Sequence, residues 1–91
     1  MALTHGMDVA GVRTSMDRIR NYADQLDALK TSINKEMTNL RSLWSGADSA
    51  KFVDADWAPY RDNMGSLAAA LRSLSAAGLR QAADQENISR S

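Results

Sequence analysis

The 91-residue sequence contains no cysteine, one proline, one histidine and one phenylalanine. Without cysteine, the chain can form neither a disulfide nor a thiolate metal site. Its 11 basic and 11 acidic residues give a formal net charge of zero, which argues against nucleic-acid binding because that function needs clustered positive charge. The most apolar run, residues 67–79, is too short to span a bilayer and contains Arg72, so stable membrane insertion is not expected.

No residue pattern is typical of a catalytic or cofactor site. His5 is the only histidine and precedes the first predicted helix, where a terminal residue without a ligand is favoured over a metal site. No serine has a histidine placed to act as its base. The aspartates fall on polar helix sides without an apolar pocket that would raise a pKa, and the glycines are too scattered to form a phosphate-binding loop. We therefore expect no enzymatic activity, no cofactor and no metal.

The sequence does contain the same apolar spacing twice. In each half, residues recur in alternating steps of four and three, the spacing of a helix packed on another helix. The first series, interrupted only by Lys30, is Val12, Met16, Ile19, Ala23, Leu26, Ile33, Met37 and Leu40. The second is Ala50, Val53, Trp57, Tyr60, Met64, Leu67, Leu71, Leu74 and Gly78. When the two series are paired from the outside inward, from 12 with 78 to 40 with 50, the residue numbers of each pair sum to 90. This symmetry predicts an antiparallel hairpin that turns near residue 45.

Local signals set the limits of the first helix and the turn. Asp8 is the predicted N-cap, with Thr4 as the alternative, and helix 1 is expected over about 8–43. Trp44-Ser45-Gly46 is the predicted turn motif. We expect Gly46 to adopt the left-handed conformation after the helix C-terminus, and Trp44 to cover the end of the bundle with a mostly buried ring.

The second helix is expected over about 47–85, followed by a frayed tail at 86–91. Asp48 suits the positive end of its dipole. Pro59 conflicts with a regular helix because it lacks an N–H group. The helix is therefore either continuous with a bend at Pro59, which we favour because the apolar spacing keeps its phase, or preceded by a separate turn over 47–55.

A second apolar column lies beside the first and predicts a partner. The apolar series of the two helices form one line of contact, which we name the seam, and one seam suffices for a hairpin. Further apolar surface therefore indicates another packing contact. The candidate interface residues are Tyr22, Leu29, Leu43, Phe52, Trp57 and Leu79. We expect an all-α fold, a single domain over 1–91, in which an antiparallel two-helix hairpin dimerises into a four-helix bundle.

The turn motif carries a resemblance to a known family. Trp44-Ser45-Gly46-Ala47, followed by Phe52 and a second tryptophan at Trp57, resembles the WXG family of small type VII (ESX) secretion proteins. The opening Gly6-Met7-Asp8-Val9 is similar to actinobacterial members, and the resemblance covers the whole chain.

The resemblance implies a non-enzymatic hairpin that is made in the cytoplasm and secreted without a cleavable signal peptide. It implies export as a homodimer or with a paralogous WXG hairpin, through a machine driven by a type VII secretion ATPase. The chain departs from the family's Tyr-x-x-x-Asp/Glu tail signal, because the nearest frames begin at Arg80, Gln81 and Ala82. Either a partner supplies this signal or another signal is used.

Two other functions remain compatible with the sequence. One is an intracellular structural helical-bundle adaptor with no role in secretion. The other is an amphipathic helical protein acting on membranes, which the neutral charge disfavours because such helices carry a basic polar face.

Overall fold

The computed structural model describes residues 6–90, with the backbone alone for residues 89 and 90, and shows two antiparallel helical arms. Helix α1, Val9–Leu43, forms the first arm. The second arm comprises helix α2, Ala47–Ala50, a π-helical segment, Lys51–Asp56, and helix α3, Ala58–Arg90. The hairpin measures 67 Å by 15 Å by 15 Å between its outermost Cα atoms. The expectation of an all-helical hairpin is confirmed for the described residues.

Helix α1 is capped at both ends by hydrogen bonds. The Asp8 carboxylate accepts a hydrogen bond of 3.0 Å from the backbone N–H of Gly11, as an N-cap residue does. The alternative cap Thr4 and the histidine His5 lie outside the described residues. At the other end, the N–H of Trp44 donates to the carbonyl of Leu40 at 2.9 Å, and the chain then leaves the helix.

Gly46 has a positive φ, but its position in the turn differs from the prediction. With φ 113° and ψ 178°, it lies in an extended region that is open almost only to glycine, instead of the left-handed helical region. It is the N-cap of α2, not the residue that ends α1. The reason is that Trp44 and Ser45 already leave the helix in non-helical conformations, so the reversal needs an extended residue to start α2.

Residues 47–55 belong to helix α2 and the π-helical segment, so no separate turn precedes Pro59. The chain stays helical up to it, and the π-helical segment lies immediately upstream, where the N–H of Trp57 donates to the carbonyl of Phe52 at 3.0 Å. A proline ring clashes with the carbonyl four residues earlier, here that of Ala55, and the wider π turn relieves such a clash. Helix α3 then continues to Arg90, so residues 86–90 of the tail that was predicted to fray are helical.

The π segment changes which side of the second arm faces α1. A π turn closes over one residue more than an α turn, so every later residue is rotated about the helix axis. Tyr60, Leu67 and Leu74, which the apolar series placed in the seam, are exposed by 67, 52 and 54%. The next residue in the sequence occupies the seam in each case: Arg61, Ala68 and Ser75. Ala68 and Ser75 are fully buried. The predicted seam is therefore wrong along one side of α3.

The interior of the hairpin is built from small residues. Ala23, Ala68 and Ala82 have no exposed surface, and Ser75 is buried beside them. Small side chains let two helix backbones approach closely, and the observed contacts fix the register at this approach. The sequence predicts that Met16 faces Leu74, a pair whose residue numbers sum to 90. In the structure Met16 contacts Ser75 and Gly78 instead, and the residue numbers of these pairs sum to 91 and 94. The extra residue in the π turn accounts for a shift in this direction.

Candidate functional site

One broad side of the hairpin, which we name the charged face, carries ion pairs between the two arms. Arg72 reaches Asp24 at 2.8 Å and Asp27 at 2.7 Å. Arg13 forms a two-pronged contact with Glu86 at 3.1 and 3.2 Å. The hydrogen bond from Arg72 holds the pKa of the Asp27 carboxyl below its ordinary value, against the opposing effect of burial and with a further contribution from the charges of Arg72 and Lys30.

The positions of these charged residues identify the flanks of the seam. Arg13, Asp24 and Asp27 each follow a seam residue of α1 by one position, and Arg72 follows the seam residue Leu71 of α3. Residues that precede a seam position lie on the other flank, because successive residues are turned by about 100° around a helix. On both helices, the residues that follow a seam position lie on the charged face. The residues that precede a seam position therefore share the opposite face of the antiparallel hairpin.

That opposite face exposes large apolar side chains, with Glu36 as the charged exception on its α1 side. Tyr22 and Leu29 precede the seam positions Ala23 and Lys30, and Leu43 continues their seven-residue spacing. On α3, Tyr60, Leu67 and Leu74 likewise precede seam residues. These six side chains define the apolar face, and each is more than half exposed: Tyr22, Leu29, Leu43, Tyr60, Leu67 and Leu74.

The structure divides the interface residues predicted from the sequence. Tyr22, Leu29 and Leu43 lie on the apolar face, and Phe52 is 38% exposed near the turn. Trp57 is only 7% exposed and belongs to the interior of the hairpin, so it offers little surface to a partner. Leu79 lies beside Arg20 and Arg72, away from the other predicted interface residues.

Sequence reasoning missed half of the apolar face. Tyr60, Leu67 and Leu74 were assigned to the seam because their spacing fits it without interruption. The rotation caused by the π segment turns them outward. Pro59 is the one signal in the sequence that could have indicated it, since a proline inside a helical pattern disrupts α-helical geometry at that point.

The turn end combines an exposed and a buried tryptophan. Trp44 is 40% exposed instead of mostly buried, and its ring lies 5.8 Å from that of Phe52. Trp57 is held in place by a hydrogen bond of 3.0 Å from its indole Nε1–H to the Asn34 side chain. Between the π segment and Met37 lies an open cleft of about 560 Å³ with Trp57 in its lining.

Lys30 interrupts the apolar series, but its ammonium group is not buried without an ion-pair partner. Its Nζ lies 3.6 Å from Asp27, and its side chain is about one-third exposed. It also lies over Gly65, whose missing side chain leaves room for the ammonium group. The stem thus covers the seam while the charge reaches the charged face.

Among residues 6–90 the structure contains no cluster of three or more histidine, cysteine, aspartate or glutamate side chains that could hold a metal ion. Within the same part of the chain, no helix has the length and apolarity needed to cross a membrane. The described arrangement combines a face with six exposed large apolar side chains, an opposite charged face and a turn with a partly exposed tryptophan.

Comparison with known proteins adds no relative to this description: no protein family, no curated protein and no solved structure matches the chain significantly.

Proposed function

We propose that this protein is a small, non-enzymatic type VII (ESX) secretion substrate or secretion partner, which pairs with a second helical hairpin to form a four-helix bundle. The observation that carries the proposal is the apolar face. The resemblance of Trp44-Ser45-Gly46 to the WXG motif supplies the link to secretion.

The apolar face is large enough to support a stable pairing. Tyr22 and Leu43 are 21 residues apart on α1, which corresponds to about 32 Å of helix. Two adjacent helices present a width of about 20 Å, so covering the face buries about 650 Å² on each hairpin. The total of about 1,300 Å² falls within the range of specific protein–protein interfaces. Several large apolar side chains exposed together on one face are typical of an interaction site.

The exposed turn fits a role in recognition. Trp44 and Phe52 form a small aromatic cluster at the end of the hairpin, and Gly46 lets the chain reverse there. In the proposed function this end contacts the secretion machinery. A buried Trp44 would have served the fold alone, whereas a ring with 40% of its surface exposed has area left for a partner.

The missing tail tyrosine bears on how the secretion machinery would recognise the pair. The frames at Arg80, Gln81 and Ala82 lack the tyrosine of the family signal, and α3 continues through them as helix. In the proposed function, either the partner hairpin or a different signal directs the pair to the secretion ATPase.

Export from a type VII-competent host tests the proposal. An epitope-tagged chain is produced in an actinobacterium with an active type VII system and in the same strain lacking the secretion ATPase. We expect the chain in the culture medium of the first strain alone, with a cytoplasmic protein as the control for lysis. Retention in the cells of both strains contradicts secretion and favours the intracellular adaptor.

The turn provides matched variants for the same assay. Trp44→Ala removes the exposed ring, and Tyr22→Ala removes an aromatic ring from the apolar face instead. If the turn is recognised, Trp44→Ala lowers export while the purified variant keeps its helical content and its mass in solution. Equal export of Trp44→Ala and the unmodified chain contradicts recognition at the turn.

A further inference from the structure

We infer that the open cleft beside the π-helical segment is a binding site for a small organic cation, a protonated primary amine carried on an aromatic ring. The inference concerns a ligand of the hairpin itself and does not depend on secretion. Three observations carry it: the preformed apolar walls of the cleft, its single carboxylate, and the ammonium group that this carboxylate already holds.

The cleft has the size and the walls of a ligand site. Its volume of about 560 Å³ lies within the range of about 300–1,000 Å³ that small-molecule pockets occupy. Helix α1 contributes Met37 to the lining. The second arm contributes Phe52, Ala55, Asp56, Trp57, Pro59 and Tyr60. Ligand sites typically combine apolar and aromatic walls of this kind with a small number of polar groups.

The inner wall of the cleft is fixed before any ligand binds. Trp57 is only 7% exposed, and its indole Nε1–H donates to the Asn34 side chain at 3.0 Å. The π-helical segment Lys51–Asp56 supplies the adjoining wall, and π turns inside helices occur frequently at functional sites. A ligand therefore meets a formed surface and does not have to order it.

The polar groups of the cleft suit a cation. Asp56 is the one charged residue in the lining among the residues that the structure describes. Pro59 has no N–H to donate to the carbonyl of Ala55, and a carbonyl oxygen can accept two hydrogen bonds. The rings of Phe52 and Tyr60 are partly exposed, and the faces of aromatic rings attract positive charge. A ligand that satisfies these groups carries N–H donors and a positive charge on an apolar body.

An ammonium group already lies against the carboxylate. The Nζ of Lys51 is 3.1 and 3.4 Å from the two carboxylate oxygens of Asp56. Lys51 is not part of the lining, and its side chain is 70% exposed, so it reaches the carboxylate from the solvent side. An exposed pair of this kind contributes little stability, and a carboxylate accepts several donors. The ammonium group of a ligand can therefore join Lys51 or replace it.

Titration with phenethylamine, followed by NMR, tests the site. Phenethyl alcohol and phenylacetate carry the same ring and serve as the neutral and the anionic counterpart. We expect saturable shifts of the Trp57 indole N–H and of the amides of residues 52–60, with the amides around Ala82 at the far end as the internal control. The amine should bind more tightly than the alcohol by about threefold or more, as for a partly exposed ion pair, and phenylacetate should bind least. Equal binding of the three compounds overturns the choice of a cation. No shift at Trp57 with millimolar amine overturns the site.

Two charge variants should change amine binding in opposite directions. Asp56→Asn should weaken it by about threefold or more, because the carboxylate is lost. Lys51→Gln should strengthen it, because the competing ammonium group is removed. The matched control is Asp54→Asn, which removes an acid that pairs with Arg41 and does not line the cleft. Equal affinity of Asp56→Asn and Asp54→Asn, or weaker binding by Lys51→Gln, overturns the role of Asp56.

Filling the cleft provides a test that does not involve charge. Ala55 is exposed and lines the cleft, so Ala55→Leu should occupy part of the space without disturbing the interior of the hairpin. We expect it to abolish the shifts at the Trp57 indole, while circular dichroism shows unchanged helical content. Unchanged amine affinity in Ala55→Leu overturns the location of the site. Tyr60 is left intact in all variants, because it also belongs to the apolar face.

Discussion

The hydroxyl of Ser75 donates a hydrogen bond of 2.8 Å to the backbone carbonyl of Met16 on the facing helix. Ser75 is almost fully buried, so this bond lies within the interior of the hairpin and not at its edge. A side chain can reach the backbone of a neighbouring helix only where the helices approach closely. The small residues around it permit that approach, and the bond itself fixes the height of one arm relative to the other.

Replacing Ser75 tests how closely the arms are packed. Ser75→Ala removes the hydrogen bond but still allows the two helices to approach closely, and we expect a loss of about 1 kcal/mol in the free energy of unfolding. Ser75→Leu forces the arms apart and should cost about 1–3 kcal/mol by overpacking. Urea unfolding measures both, with the exposed Ser73→Ala as the control. A stabilising Ser75→Leu would contradict the small-residue seam.

The two tryptophans should contribute unequally to stability. Trp57→Ala empties a site in the interior and is expected to cost about 3–5 kcal/mol, whereas Trp44→Ala should cost clearly less because the ring is partly exposed. Trp57→Phe should fall between them, since it keeps most of the ring and loses only the bond to Asn34. Thermal melts decide the order; a larger loss for Trp44→Ala than for Trp57→Ala would show that the turn end carries more of the fold.

Replacing glycine by alanine should lower the stability of the fold at Gly46 and raise it at Gly65. Gly46→Ala places a Cβ at φ 113° and ψ 178°, and we expect a cost of about 1–3 kcal/mol. Gly65 lies inside α3, where a Cβ would meet the Nζ of Lys30 at an ordinary contact distance of 3.5 Å. Gly65→Ala should therefore stabilise the hairpin by about 0.5–1 kcal/mol through helix propensity. Calorimetric melting temperatures that move in the same direction would contradict this assignment.

The ion pair between Arg72 and Asp27 predicts sensitivity to acid. Because the hydrogen bond from Arg72 lowers the pKa of Asp27 in the folded chain, the pair stabilises the fold fully above the ordinary pKa of 3.8. This stabilisation is lost as the pH falls through the lowered pKa of the folded state. Arg72→Gln should raise the pKa of Asp27, measured by carboxyl NMR, and flatten the fall in stability on the acid side. Arg80→Gln, farther along α3, is the control; an identical shift of the Asp27 pKa in both variants would exclude a specific pair.

The sequence by itself determined the hairpin. Two apolar series with steps of three and four require two helices that pack on each other, and Asp8 begins the first of them because its carboxylate accepts from a free backbone N–H. Trp44 and Gly46 place the reversal between the series, since only a glycine adopts the backbone angles found there. Tyr22, Leu29 and Leu43 could also be assigned to an outer surface, because they lie beside the seam in any register.

The tertiary structure alone decided which side of the second arm faces inward. The π segment before Pro59 adds one residue to a turn, and that single residue exchanges Leu67 for Ala68 and Leu74 for Ser75 in the interior. Apolar spacing cannot reveal this exchange, because both sets of positions repeat every seven residues and alanine is compatible with either. The same rotation aligns Tyr60, Leu67 and Leu74 with the outer residues of α1. The extent of the apolar face therefore follows from one local change in helix geometry, set by the packing of the arms.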